Sequence, residues 1–475
     1  MPTPRHRLTA STAQTELAEA LAALRAELQI PADFPPEVIA EADAAHAEAP
    51  REDLRDIPFA TLDPIGSRDL DQAFHLERTR RGWRVRYAIA DVPAVVAPGE
   101  AVDSEARRRG QTLYAADGTV PLHPVVLSED RASLLPGRDR SAFVWTVELD
   151  RDGADIGHRV QRALVRSREQ LEYVTTQQAL DAGADSPAAL LPEIGRARIA
   201  QEQARGGASL NLPDEEIEKD PENGYRLIRR RPLPVEDWNA QLSLLTGMAA
   251  ASLMLGARVG VLRTMPPPAD DALASFRVRV GALGLPWPAE QTYGDYLRGL
   301  DRDDPQTLAV LHAAASLFRG AGYAAFDGEV PAVTVQAAVA APYAHVTAPL
   351  RRLVDRWGLV VCEAICAGAD VPGWARASLS QVPELMQAST QRASRLYTGA
   401  RDRIEAALLF DRVGERFTAA VLERDGARAR IQLDDPALTA TCPVGDHVAA
   451  GQPITVVLQS AEIATGRIEF TEAPA

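Results

Sequence analysis

The spacing of apolar residues changes period along the chain, and this change limits what the chain can fold into. Over residues 11–29, Leu17, Leu21, Leu24 and Leu28 recur at helical spacing behind Ser11 and Gln14, which read as a capping box. Pro35 and Pro36 open a second short helix ending near Glu48, and the polar AEAPREDLRD (47–56) reads as a linker. From Ile57 the period becomes two. WRVRYAIAD (83–91) places Trp83, Val85, Tyr87 and Ile89 on one face, a TRRG turn pairs it with AFHLER (73–78), and SAFVWTVELD (141–150) adds a strand ending in a DRDG turn. Beyond residue 190 the pattern is mostly helical to about 409. The last sixty residues hold five short strands with a hairpin turn at Asp425-Gly426, the pattern of a small OB-type barrel or another small β-barrel or sandwich. The fold class is therefore α+β, with a helical extension and linker at 1–56, a central domain at 57–409 and a barrel at 410–475.

Composition excludes several chemistries. The 475 residues carry 51 basic and 66 acidic side chains, a net charge of −15, which repels nucleic acid on average but does not forbid a basic channel. Lys219 is the single lysine, which disfavours Schiff-base chemistry and a Walker-A phosphate loop. Arginine, which supplies the rest of the positive charge, suits bidentate phosphate recognition. Cys362, Cys366 and Cys442 are too few for a disulfide framework and read as buried small residues. The N-terminal residues lack an apolar signal core, and the uncharged run 239–257 is interrupted by Asn239, Gln241, Ser243, Thr246 and Gly247. That run is expected to be a core helix, and the chain a cytoplasmic monomer without membrane contact or organic cofactor.

TLDPIGSRDLDQAF (61–74) is the most informative segment. Asp63, Asp69 and Asp71 fall within nine residues on a loop containing Pro64 and Gly66. Carboxylates so close repel each other unless a cation lies among them, and hard oxygen donors select magnesium, manganese or calcium. The alternative is a solvated acidic loop. A polyanionic substrate would also need arginines: Arg107–Arg109, Arg229–Arg231, Arg392, Arg395, Arg401 and Arg403 are candidates, each taken alone reading rather as a solvated face. The pair Arg351–Arg352 stands apart, because Thr347 and Pro349 place it where a helix begins, and a helix N-terminus with guanidinium groups makes an anion site.

IPFATLDPIGSRDLDQAF resembles the signature of the ribonuclease II (RNB) family of 3′-to-5′ exoribonucleases. The resemblance continues through YAIADV (87–92), RRRGQTLYAADGTVPLHPVVLSED (107–130), RSREQLEY (166–173) and YAHVTAPLRR (343–352), in the family's order. It implies a short form without N-terminal cold-shock barrels, with the terminal barrel as RNA-binding OB domain. It implies a magnesium-dependent hydrolase, manganese being possible, that removes nucleoside 5′-monophosphates from the 3′ end of single-stranded RNA. Asp63, Asp69 and Asp71 would then be the first three of four catalytic, metal-holding aspartates, Asp71 being the most essential. Arg351 would grip the scissile phosphate with Arg352 beside it. Tyr114 would stack on the last nucleotides, and Tyr173 would help select RNA.

The chain departs from the family pattern at three places. Gln72 stands where the fourth aspartate belongs, so a neutral carboxamide replaces one anionic metal ligand. A glutamate that assists RNA selection aligns near Ala240–Gln241, which puts discrimination against DNA in question. The stacking wedge aligns near Leu212, a poor stacking partner, so less processive degradation is expected. Two rival readings follow: an RNA-binding protein on a disabled nuclease fold, or a nuclease of short oligonucleotides.

Overall fold

In the computed structural model, residues 11–474 are described except 209–213, 221–223, 231, 302–306, 308, 309, 312, 315, 316, 318, 319, 434, 435 and 437. Two helices, α1 (Ser11–Glu27) and α2 (Pro36–Ala44), precede the first strand. Helix α2 stops at Ala44 rather than near Glu48, because Ala45 turns to extended backbone.

The central sheet contains β1 (Glu52–Asp53), β2 (Phe59–Asp63), β3 (Gln72–Arg78), β4 (Gly82–Ala90), β7 (Asp139–Asp150) and β8 (Asp155–Glu172). Between β4 and β7 lie α3 (Ala101–Arg109) and a small hairpin of β5 (Leu113–Ala115) and β6 (Gly118–Val120). Strand order is β1-β8-β2-β3-β4-β7, and β8 also pairs with β7, so the sheet closes on itself. The length of β8 makes this possible: Asp155–Arg166 pair antiparallel with β7, and Ser167–Glu172 run parallel to β2. The stretch 47–56, expected to be a linker, instead includes β1, which pairs in parallel with β8 at Ala163 and Leu164. Two residues of strand are too few to show a period, so the sequence pattern missed it.

Trp83, Val85, Tyr87 and Ile89 do share one face, packed with Phe143, Trp145 and Val147 in the main core. The opposite face is buried too, where Ala88, Ala90 and Val144 meet Val38 and Ala42 of α2. The main core is capped by α4 (Tyr173–Asp181), α5 (Leu191–Ala204) and α6 (Pro234–Ala257). Helix α6 contains the uncharged run 239–257, with Leu242, Leu245, Ala250 and Met254 buried as a core helix requires.

The region from 190 to 409 is mostly helical, as expected, but strands that the pattern did not show interrupt it. A hairpin of β9 (Asp214–Asp220) and β10 (Gly224–Arg230) interrupts it. So does the pair β11 (Val259–Thr264) and β12 (Gly322–Asp327), followed by the short β13 (Val335–Gln336) and β14 (Ala341–Pro342). Short apolar strands such as β11 cannot be told from helix by periodicity alone, and the charged β9 carries no apolar period at all. Helix Val354–Ala367 and the long helix Val382–Leu409 complete this part.

The C-terminal strands β15 (Arg416–Asp425), β16 (Arg428–Leu433), β17 (Thr439–Pro443), β18 (Pro453–Glu462) and β19 (Arg467–Glu472) form one antiparallel sheet in the order β17-β16-β15-β18-β19. They build a nearly closed OB-like barrel around Phe417, Ile431, Val456, Leu458 and Phe470. Gly426 takes φ +57° in the expected Asp425-Gly426 turn.

Candidate active site

The aspartate loop is held by backbone contacts. Asp63 ends β2 opposite Glu172 of β8, and Asp71 directly precedes β3. Between them, Gly66 adopts φ +80°, Ser67 N–H donates to the Pro64 carbonyl, and Gln170 Nε2 donates to the Ser67 carbonyl at 2.8 Å. Leu70 N–H donates to Ser133 Oγ at 3.0 Å, and Leu134 N–H donates to the Leu70 carbonyl. The loop therefore enters β3 with Leu70 buried and the flanking Asp69 and Asp71 fixed by its backbone.

A turn 279 residues away meets it. Asp71 is buried, and its Oδ1 accepts from Leu350 N–H at 2.8 Å. Its Oδ2 lies 3.6 Å from Nε of the half-exposed Arg351. The turn has its own organiser in Asp355, a fully buried carboxylate missed by sequence reasoning. Asp355 Oδ1 accepts from Ala348 N–H (2.7 Å) and Arg352 Nη2 (2.9 Å), and Oδ2 accepts from Arg352 Nε (3.0 Å). Its signal was a carboxylate in the first turn of an apolar helix. Arg351 and Arg352 thus sit in the turn just before helix Val354–Ala367, and Arg352 is committed to Asp355 while Arg351 keeps an exposed guanidinium.

The approach of this turn depends on Gly247 of α6. A Cβ there would fall 2.1 Å from the Tyr343 ring and 2.6 Å from the Ala344 carbonyl oxygen. Gln72, also at the junction, donates from Nε2 to the Thr347 carbonyl (2.5 Å), and its Oε1 accepts from the Tyr87 hydroxyl (3.3 Å). The carboxamide in the fourth-aspartate position therefore bridges the aspartate loop to the arginine turn.

Tyr114, on β5, is exposed, and its hydroxyl interacts with Arg351. Tyr173 starts α4 beside Asp63, where its hydroxyl accepts from Asn239 Nδ2 at 3.4 Å. Asp63, Asp69, Asp71, Gln72, Arg351, Tyr114 and Tyr173 consequently surround one locality. Leu212 lies outside the described residues. Gln241, near the aligned position of the RNA-selecting glutamate, is buried and donates to Glu202 Oε2 at 2.9 Å. The other arginine candidates with described side chains are largely internal ties: Arg107 pairs with Asp103, Arg108 and Arg109 with Glu105, and Arg401 with Glu405.

Burial shapes the electrostatics. It pushes the Asp63 carboxyl up to about 7, helped by repulsion from Asp69 and opposed by Arg351. Asp69 is raised by the same burial, and Asp71 is held well above the usual carboxylate range despite Arg351 and the Leu350 amide. These carboxylates are short of positive charge. Among the described residues, no three His, Cys, Asp or Glu side chains converge closely enough to enclose an ion by themselves. A magnesium-type ion that keeps its waters needs one or two carboxylates, so the repelling Asp63 and Asp69 fit as its protein donors.

The closed sheet, the paired aspartate loop and arginine turn, and the terminal barrel define an RNB-type domain with an appended OB-like module. Residues 51–361 match the RNB domain, and residues 415–473 match the RNase II-type exonuclease C-terminal S1 domain. The chain belongs to the RNB-domain family. Among curated relatives it is 26% identical over 420 residues to ribonuclease R of Escherichia coli (strain K12), covering 82% of this chain and 50% of that protein. It is also 26% identical over 323 residues to the probable exosome complex exonuclease RRP44 of Caenorhabditis elegans, covering 64% and 33%. The chain spans about half the length of the ribonuclease R it matches. Its fold is similar to that of Mycoplasma genitalium RNase R in complex with ribose methylated single-stranded RNA (TM-score 0.87, 18% identity, 96% of this chain and 78% of that one). It is also similar to yeast Ssd1, a pseudonuclease (TM-score 0.71, 16% identity, 98% and 59%).

Proposed function

We propose that the chain is a divalent-metal-dependent hydrolytic 3′-to-5′ exoribonuclease, acting in the cytoplasm as a monomer on single-stranded RNA and releasing nucleoside 5′-monophosphates. The observation that carries this reading is the seating of Asp71 on Leu350 N–H with the exposed Arg351 guanidinium beside it. An acid-rich loop facing a cationic turn suits a phosphodiester, whose transition state gains negative charge.

Asp63 and Asp69 would hold the ion, magnesium or in its place manganese. When bound, the ion supplies Lewis-acid polarisation of the phosphate and a more acidic water. Asp71 orients the attacking water and fixes the turn through Leu350. Arg351 contacts the non-bridging phosphate oxygens and meets the charge that develops there. Tyr114 stacks against the terminal nucleotide, and Tyr173 with Asn239 faces the sugar end of the site. Arg352 acts on the phosphate indirectly, by holding the turn against Asp355. Gln72 adds a neutral bridge at the edge of the metal locality. Contacts through phosphate and sugar make the reaction indifferent to base sequence and make binding weaken as salt rises.

The test uses 5′-labelled single-stranded RNA and DNA oligomers with magnesium, comparing the native chain with Asp71→Asn. A ladder shrinking from the 3′ end, absent in Asp71→Asn, is the expected result. Binding without cleavage by either protein would instead favour the pseudonuclease reading, which Gln72 in the fourth-aspartate position makes the principal rival. Cleavage confined to oligomers of a few nucleotides would favour the short-oligonucleotide reading.

A further inference from the structure

We propose that helix α1 is a positioning element for the candidate active site, acting through an Arg25–Asp117 clamp on the hairpin that carries Tyr114. The inference rests on the exoribonuclease reading for its catalytic consequence, but its structural part stands separately.

The hairpin β5–β6 has three residues in each strand, with Tyr114 paired to Thr119. A two-stranded ribbon this short does not hold its own conformation in water. Its base is tied to the arginine turn, where Thr112 N–H donates to the Arg351 carbonyl and Leu122 N–H donates to Thr112 Oγ1. Its tip is tied to α1. Arg25 Nε donates to Asp117 Oδ2 (2.8 Å), and Nη2 donates to Asp117 Oδ1 (2.5 Å) and to the Gly118 carbonyl (3.1 Å). This bidentate fork fixes direction as well as distance, which a single ion pair would not.

Helix α1 can act as a fixed post because it is itself seated. Leu17, Leu21 and Leu24 are buried in a cluster shared with Leu113 and Val120 of the hairpin and with Leu396 of the long helix. Gly399 lets the two helices approach, since a Cβ there would lie 3.0 Å from both Leu24 methyl carbons. Ile463, in the turn after β18, joins the same cluster, so α1 links the barrel to the hairpin. Tyr114 is thereby presented to solvent with its hydroxyl on Arg351. The base of the hairpin follows the arginine turn, and its tip follows α1.

The test uses the full chain with Arg25→Ala, with the reversed pair Arg25→Asp/Asp117→Arg, and with Tyr114→Ala. In Arg25→Ala, hydrogen exchange over 113–120 should rise at least tenfold while that of β7 stays unchanged. On a 5′-labelled tetraribonucleotide, KM should rise about tenfold with kcat within twofold. The reversed pair should recover most of both effects, and Arg25→Ala should add nothing in the Tyr114→Ala background. Unchanged exchange over 113–120, or a KM increase that multiplies with that of Tyr114→Ala, would overturn the proposal. If Arg25→Ala does not fold, Asp117→Asn tests the same clamp from the other side. If the native chain leaves RNA intact, the exoribonuclease reading fails, and the exchange measurement alone decides the clamp.

Discussion

Gln72 offers the sharpest test of how this site is built, because restoring the family's aspartate there should weaken the metal-free protein. The carboxamide donates to the Thr347 carbonyl and accepts from Tyr87. An aspartate is one methylene shorter and, when ionised, accepts only, so the Thr347 carbonyl loses its donor. A partly buried hydrogen bond lost in this way costs about 1–2 kcal/mol. A further carboxylate is also added where Asp63, Asp69 and Asp71 already resist ionisation. Gln72→Asp should therefore be about 2–3 kcal/mol less stable than the native chain in chelator, and Gln72→Ala about 1–2 kcal/mol less stable. Magnesium should reverse the order of the two variants, because a carboxylate at position 72 tightens a site that Asp63 and Asp69 hold in both, and each tenfold in Kd adds about 1.4 kcal/mol to the folded state at saturating ion. Urea unfolding at pH 8, with chelator and with magnesium, measures all of these. Equal stability of Gln72→Asp and the native chain in chelator would refute the bridge. Equal magnesium stabilisation of Gln72→Asp and Gln72→Ala would refute a part for position 72 in holding the ion, and no stabilisation of either would refute a metal locality at this junction.

Three further outcomes are expected. Asp71→Asn should abolish turnover without lowering Tm, since burial penalises the carboxylate's charge and the amide oxygen can still accept from Leu350; a Tm loss of several degrees would contradict this. In metal-free protein, stability should fall as pH rises from about 4 to about 7, because the folded state keeps the Asp63 proton up to about 7 while the unfolded chain loses it near 3.8. The Asp63 share of the drop should be on the order of 2–4 kcal/mol and should be lost in Asp63→Asn, which keeps only the drop due to Asp69 and Asp71, as urea midpoints across pH would show. Gly247→Ala should cost at least 1–3 kcal/mol, because the added carbon would overlap the Tyr343 ring and the Ala344 carbonyl; an unchanged urea midpoint would show that the turn can retreat freely.

Much of the architecture was legible because it is written in local periods. The face of β4, the hairpin with β3, the seam of α1 and the terminal strands each follow from side chains a few residues apart. Strand β1 and the pairs β9–β10 and β11–β12 were not, since such segments carry too short a pattern and are stabilised by partners distant in sequence. The same holds within the site. Asp63, Asp69, Asp71 and Arg351 could be nominated from spacing and resemblance, whereas Asp355 looked like any first-turn carboxylate.

The sequence by itself determined which side chains carry the candidate chemistry and that the chain is α+β with a terminal barrel. Tertiary structure alone decided their pairing: that Arg352 serves Asp355 while Arg351 stays open, that Gln72 bridges two loops, and that Asp71 sits on a backbone amide 279 residues away. The physical reason is range. Apolar periodicity is fixed by the geometry of one helix or strand, but the partner of a buried polar group is whatever the fold brings within about 3 Å, and no local pattern encodes that distance.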